Sequence, residues 1–437
     1  MFSEARVCLL FLVNANTIKK QSVRQFIYAT RRVFPQRMSH GHSEHTQLYT
    51  TTFALGFAYN FFMGFLFSCN SLYPLYVDYA GGGPEEIGLF MAAFPLAGML
   101  GRPLHGALVD RFGVKRIMIL GAMLYSLPCL GYIALIDAGL TPTVWCLRLV
   151  QGFGFGAHVT AFFTLAAQMA PKGRSNEAVA MYGVSGMVAS LIGPLACEIV
   201  IKQFGLISFF WVMFWMGVCA ASLAVMIRAP RLVGAVASFS FAGVKSIAFL
   251  PRFRLAFFLA ICLAGSYTTM TAFIAPVMDS RNVSYFGLFF TGYAVTGIIT
   301  RFTGRKWADR FGFLRILSPG FFCYGTGLLL LQFTHSLPML ILAGVCCGAG
   351  HGLVFPIITT FGYVLAPSAY RGAGVALMTG MMDFGNAATA FAIGRAAEAF
   401  GYNVVFAIGC LAPYLAVFII ALRGKQYAAD NLATQES

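Results

Sequence analysis

Twelve long apolar stretches dominate the chain and leave few folds open to it. They run over 48–77, 86–108, 114–136, 142–168, 178–201 and 206–228, then 253–278, 284–304, 314–335, 337–365, 372–396 and 401–423. Crossing a bilayer as a helix takes about 20 mostly apolar residues. Within lipid every backbone N–H and C=O must be satisfied inside the protein, so stretches of this length predict helices. Composition agrees, with 59% hydrophobic and 10% charged residues and a mean hydropathy of +0.76; a soluble domain carries about 25% charged residues. The expected fold is therefore an all-α integral membrane protein with twelve transmembrane helices. Turn and charge signals mark the breaks: Gly81-Gly82-Gly83-Pro84, Asp137-Ala138-Gly139, Pro171-Lys172-Gly173-Arg174, Pro367-Ser368 and Gly401. The longest interior break, 229–252, divides the chain into a half at 46–228 and a half at 253–425, with a basic extension at 1–45 and a tail at 426–437.

The formal net charge of +15 suggests nucleic acid, but its placement excludes that partner. Seven basic residues against one acid lie within residues 1–37, and most others sit in short loops between apolar stretches. With residue 47 placed in the cytoplasm, the cytoplasmic loops and tail hold 17 Lys and Arg, and the outer loops hold Lys202 and Arg281 alone. That bias predicts both termini inside a plasma or inner membrane. The 11 cysteines are scattered singly, apart from Cys346-Cys347, and form no CxxC; they read as small core residues. His40, His42 and His45 lie in a short solvated tail without supporting ligands, and no metal or other cofactor is expected. Met38 is the expected functional start. No phosphate-binding glycine-lysine loop and no constellation for covalent catalysis is evident, so an enzyme is not expected.

One charged tetrapeptide occurs twice. Asp110-Arg111-Phe112-Gly113 is followed by Lys115 and Arg116; Asp309-Arg310-Phe311-Gly312 is followed by Arg315. An arginine stands eight positions before each Asp, Arg102 and Arg301. Duplication at half-chain spacing implies two related six-helix halves.

The segment from Gly106 through Asp110, Arg111 and Gly113 to Lys115 and Arg116 resembles the signature between helices 2 and 3 of the major facilitator superfamily. The second copy resembles its degenerate counterpart between helices 8 and 9, with Arg305 where the first has Gly106. The resemblance covers about residues 46–425 and implies that family's two-half fold, with a central cavity lined chiefly by helices 1, 4, 7 and 10. It also implies that Asp110 and its basic neighbours form a cytoplasmic latch, made in one conformation and broken in the other. A carboxylate at a helix N-terminus is favoured by the partial positive charge there, which gives such a latch its physical basis. In helix 4, Arg148-Leu-Val-Gln151-Gly152-Phe-Gly154-Phe-Gly156 is similar to the family's pattern of Arg, Gln-Gly and small residues. The corresponding arginine of proton-driven exporters is implicated in coupling, and Gly152 and Gly156 read as close-packing sites. The helix 5 antiporter pattern is only partial: Gly193-Pro194 is retained and can bend the helix, but Ala189, Cys197 and Glu198 replace its other glycines.

Ionisable groups deep in a span mark function by default. Asp383 lies about eleven residues into helix 11, with Asn386 one turn on, and suits reversible protonation. His158 and His351 occupy loosely equivalent places in the two halves. Tyr59 and Asn60 in helix 1, Gln151 in helix 4, and Tyr267 and Thr268 in helix 7 are further candidates for the cavity wall. Glu198 and Glu398 read as interfacial.

These residues predict a secondary active transporter working by alternating access. The first expectation is a proton-coupled, monomeric exporter of a small organic solute, with Arg148 and Asp383 as coupling residues. Two alternatives stay open. One is an uptake symporter of a small organic anion, drawn by Arg148, His158 and His351. The other is a non-transporting sensor that keeps the fold.

Overall fold

The computed structural model describes residues 50–169, 175–228, 247, 249–311, 313–367 and 370–433. The extension at 1–45, most of the central loop 229–252, Gly312 and the side chains of Asp309 and Arg310 lie outside the described residues. Among those described there are helices and turns and no strand.

Thr50 caps α1 (Thr51–Ser68) through a 3.2 Å bond accepted from the Phe53 N–H. A 3-10 turn, Cys69–Leu72, leads into α2 (Tyr73–Tyr79), and together they form the first span. Pro84 at the first turn opens α3 (Pro84–Phe112), where its missing N–H costs nothing, and Glu86 reaches back to the Gly83 N–H at 2.9 Å. Gly113, at φ 83, makes the sharp turn from α3 into α4 (Val114–Ala134). Next come α5 (Pro142–Met169) and α6 (Ser175–Met226), which turns at Gly205 (φ 81) and so reads as two helices. The C-terminal group comprises α7 (Pro251–Ser280), α8 (Gly287–Phe311), α9 (Phe313–Gln332), α10 (Leu337–Val364), α11 (Arg371–Phe400), a 3-10 turn, α12 (Val405–Gly409) and α13 (Leu411–Ala433). Nine segments of the described chain are long and apolar enough to cross a membrane. The kinked Met181–Met226 is one of these nine, whereas α8 and α11, diluted by Gly, Thr and ions such as Arg301 and Asp383, are not among them.

Lipid tails offer no hydrophobic drive for helix pairing, so small residues that let backbones touch carry the packing. A Cβ at Gly152 would fall 2.9 Å from the Phe94 carbonyl carbon, and one at Gly348 2.7 Å from that of Tyr293. The α3–α5 and α8–α10 crossings therefore repeat one design. Gly156 packs beneath His105, and Gly193 presses α6 onto Ser68 and Cys69 of the first span. Pro194 lies inside α6. Two seams join the N- and C-terminal groups, α3 beside α11 and α6 beside α8.

Candidate functional site: a central cavity crossed by an ion pair

Between the groups lies a cavity of about 110 Å³. Phe67, Asn70, Phe94 and Phe155 line one side, Tyr267, Thr268 and Thr271 the other, and Arg102 and Asp383 face each other across it. Arg102 donates Nε–H to Asp383 Oδ2 at 2.9 Å, and its Nη2 bonds the same oxygen. The pair links α3 to α11, 281 residues apart, with about a fifth of each side chain exposed (20% and 19%). Asn386 accepts a 2.8 Å bond from Thr268 and so ties α11 to α7 at the same wall. Phe67 stacks on Phe155 (centroids 4.6 Å, planes 6° apart) and lies parallel to Tyr267 across the seam (6.0 Å, 4°).

Arg148 stands just behind this wall and is fully buried. It donates to the Phe90 carbonyl (3.1 Å) and Asn70 Oδ1 (2.6 Å), and weakly to Gln151 Oε1 (3.4 Å). The rings of Tyr73, Phe90 and Phe94 surround its guanidinium at 4.5–4.8 Å. No carboxylate pairs with it among the described residues. Gln151 in turn donates to Tyr73 Oη at 2.7 Å and accepts from Tyr132 at 3.2 Å. Through Asn70, Met91 and Phe94 this buried network meets the cavity.

The remaining candidates divide. Tyr267, Thr268 and Asn386 line the cavity with Asp383. Tyr59 and His158 lie beyond it, sharing a 2.9 Å hydrogen bond, and Asn60 donates to the Tyr182 carbonyl (2.9 Å) and Ser185 Oγ (2.7 Å) on α6. His351 stands among Tyr267, Tyr293, Tyr324 and Phe355, with its Nδ1 lacking a partner. Of the turn residues, Gly106 is half-buried on α3, Asp110 and Arg111 are exposed, Lys115 is half-buried, and Arg116 and Arg315 are exposed. Asp110 makes no ion pair among the described residues.

Sequence reasoning missed the pairing of Arg102 with Asp383. The spacing of Arg102 before Asp110 was visible, but the spacing pointed along the turn rather than across the seam to α11. Glu198, expected at the interface, is buried (1% exposed) and accepts the Gly287 N–H at 2.7 Å, capping the start of α8. At the equivalent place on the other seam, Arg395 clamps both oxygens of Glu85 at 2.8 Å, and Glu398 accepts weakly from the Glu85 N–H at 3.4 Å. Both seams are therefore closed at the end opposite the Asp110 turn.

A helical membrane protein with a polar, ion-paired cavity between two related groups of helices has the architecture of a secondary transporter. The sequence profile of the Major Facilitator Superfamily matches residues 53–286 and 255–436, and the chain belongs to that family. It is 25% identical over 243 residues to a bicyclomycin resistance protein homolog of Haemophilus influenzae, covering 52% of this chain and 59% of that one. It is 29% identical over 168 residues to multidrug resistance protein MdtG of Serratia proteamaculans (37% and 38%). It is 28% identical over 136 residues to multidrug resistance protein 3 of Bacillus subtilis (30% and 25%). These matches span between a quarter and three-fifths of the relatives' length. Among solved structures, the nucleoside transporter NupG superposes with a TM-score of 0.71 at 13% identity (85% of this chain, 99% of that one). The Escherichia coli fucose:proton symporter FucP superposes at 0.62 and 15% (86% and 99%). The chain is a multi-pass membrane protein, and its family is one of transporters.

Proposed function

We propose that this protein exports a small organic solute in exchange for protons across the inner (plasma) membrane, as a monomer of two six-helix halves, twelve spans and cytoplasmic termini. The observation that carries the proposal is the Arg102–Asp383 pair spanning the seam inside the cavity. While Asp383 is ionised, the pair holds α3 to α11. A proton on Asp383 removes the attraction and frees Arg102, so protonation and the position of the two helices are linked. A carboxylate placed where a counter-charge, a proton and a solute all compete is what coupled exchange requires. Resistance proteins among the relatives support the direction of export.

The closed seams at Glu85–Arg395 and Glu198–Gly287 lie at the outer end in this orientation. Asp110, exposed and without an ion pair among the described residues, then fits an inward-facing state in which the cytoplasmic latch is released. Arg148 acts from behind the wall, its charge reaching the cavity through Asn70.

In proteoliposomes with an imposed proton gradient, solute addition is expected to drive proton movement in the native protein and not in Asp383→Asn. Movement persisting unchanged in both Asp383→Asn and Arg148→Ala would remove these residues from coupling. Reversing the gradient distinguishes exchange from symport by the sign of the flux. A thermal-shift screen of solutes identifies which ones to use.

A further inference from the structure

Arg301 is the counterpart of Arg102, eight residues before the second Asp-Arg-Phe-Gly. It projects from α8 toward α6 at the second seam, so close that a Cβ placed on Gly183 would lie 2.7 Å from its Nη1. Its guanidinium carbon stands 5.5 Å from the Phe355 ring centre, and its buried Nε has no hydrogen-bond partner. Among the described residues no carboxylate pairs with it. The reason can be read from the repeat. When Met181-Tyr-Gly183 of α6 is aligned with Met378-Thr-Gly380 of α11, Asp383 falls opposite Gly186. The first seam supplies a counter-ion for its arginine; the second has glycine where that counter-ion would be.

His351 adds a second group without a partner. Its Nδ1 is buried and unbonded, it lies within reach of the Arg301 charge, and Tyr267, Tyr293 and Phe355 surround it at ring distances of 5.0–5.8 Å. Tyr267 also lines the central cavity, so this cluster of side chains borders it. Part of this guanidinium is buried without a counter-charge among the described residues, which is disfavoured. Its planar fork suits a carboxylate.

We infer that the transported solute is a small organic anion, a monocarboxylate, whose charged group is held by Arg301 with a hydrogen bond from His351, its body lying against Tyr267 and Phe355. This deepens the proposed function by naming its substrate class. The solute itself supplies the charge that Asp383 supplies at the other seam.

The test is equilibrium binding to the purified full chain in nanodiscs, without a gradient, using benzoate, lactate and 2-naphthoate, with benzamide as the uncharged control. At least one carboxylate is expected to bind, and benzamide not. Arg301→Gln should weaken binding by about tenfold or more, the loss of one charge-assisted contact, with Arg301→Lys intermediate. Gly183→Asp places a carboxylate beside Arg301. It should weaken binding to the same degree while the melting temperature holds or rises, so a loss there cannot be ascribed to unfolding. Absence of binding by all three acids, equal binding of benzamide, or full binding in Gly183→Asp overturns the inference. Binding lost in Arg102→Gln but intact in Arg301→Gln assigns the anion to the other seam and equally overturns it. Because no gradient is used, a negative result leaves coupling at Asp383 standing. Binding that survives while Asp383→Asn still couples protons separates the two claims in the other direction.

Discussion

The two seams carry the same arginine and treat it in opposite ways. Arg102 on α3 meets Asp383 on α11, whereas Arg301 on α8 meets the bare backbone of Gly183 on α6. The histidines follow the same division: His158 in the N-terminal group bonds Tyr59, and His351 in the C-terminal group has an unbonded Nδ1. A duplicated scaffold has thus kept its cations and lost symmetry in their partners. One seam is internally neutralised and suited to switching by a proton; the other holds charge in reserve for a ligand.

The largest expected effect that would break this comparison is at Arg148, a fully buried cation with three hydrogen-bond acceptors and three rings around it. Arg148→Ala leaves Asn70 and Gln151 short of a donor and opens a cavity among three rings. A loss of about 3–5 kcal/mol is expected from combined cavity and unpaired polar groups, seen as a sharp fall in melting temperature and yield. Arg102→Ala comes next. Removing one partner of a largely buried pair should cost about 2–4 kcal/mol, and the double variant Arg102→Ala/Asp383→Ala should recover part of that loss. Arg301→Leu, with no partner to strand among the described residues, is expected to leave the unfolding free energy within about 1 kcal/mol of native or to raise it. A drop at Arg301 as large as that at Arg102 would show a protein counter-ion and erase the asymmetry.

Much of this was legible in the sequence, and the part that was not has a physical cause. Twelve apolar stretches and the repeated Asp-Arg-Phe-Gly led to the family, because bilayer length and turn chemistry are local properties. Asp383 stood out for its depth, and Asn386, Tyr267 and Thr268 do stand at the same cavity wall. What one chain could not reveal is pairing across the seams. Arg102 and Asp383 are 281 residues apart, and nothing local distinguishes a guanidinium aimed at α11 from one aimed along its own helix. Glu198 illustrates the same limit: only the fold brings it to the Gly287 N–H. Without a partner it reads as a surface acid, and with one it caps a helix in the other group.

Those caps give the finest comparison. Glu198→Gln removes a buried negative charge from the N-terminus of α8, where the helix dipole favours an anion by up to about 2 kcal/mol in a partly buried setting. Arg395→Ala breaks a pair in which Arg395 is 60% exposed and screened by solvent, so its effect should be small. Both clamps close the end opposite the Asp110 turn, so each variant should shift the population toward opening there, and Glu198→Gln should do so more. Paired labels at Tyr79 and Tyr285, both exposed near that end, would follow the shift by distance measurement. If Arg395→Ala opened the end as far as Glu198→Gln, exposed pairing at the α3–α11 seam would be as strong as buried capping at the α6–α8 seam. The two seams would then differ only in their arginines, and the proton and anion roles would have to be separated by charge chemistry alone.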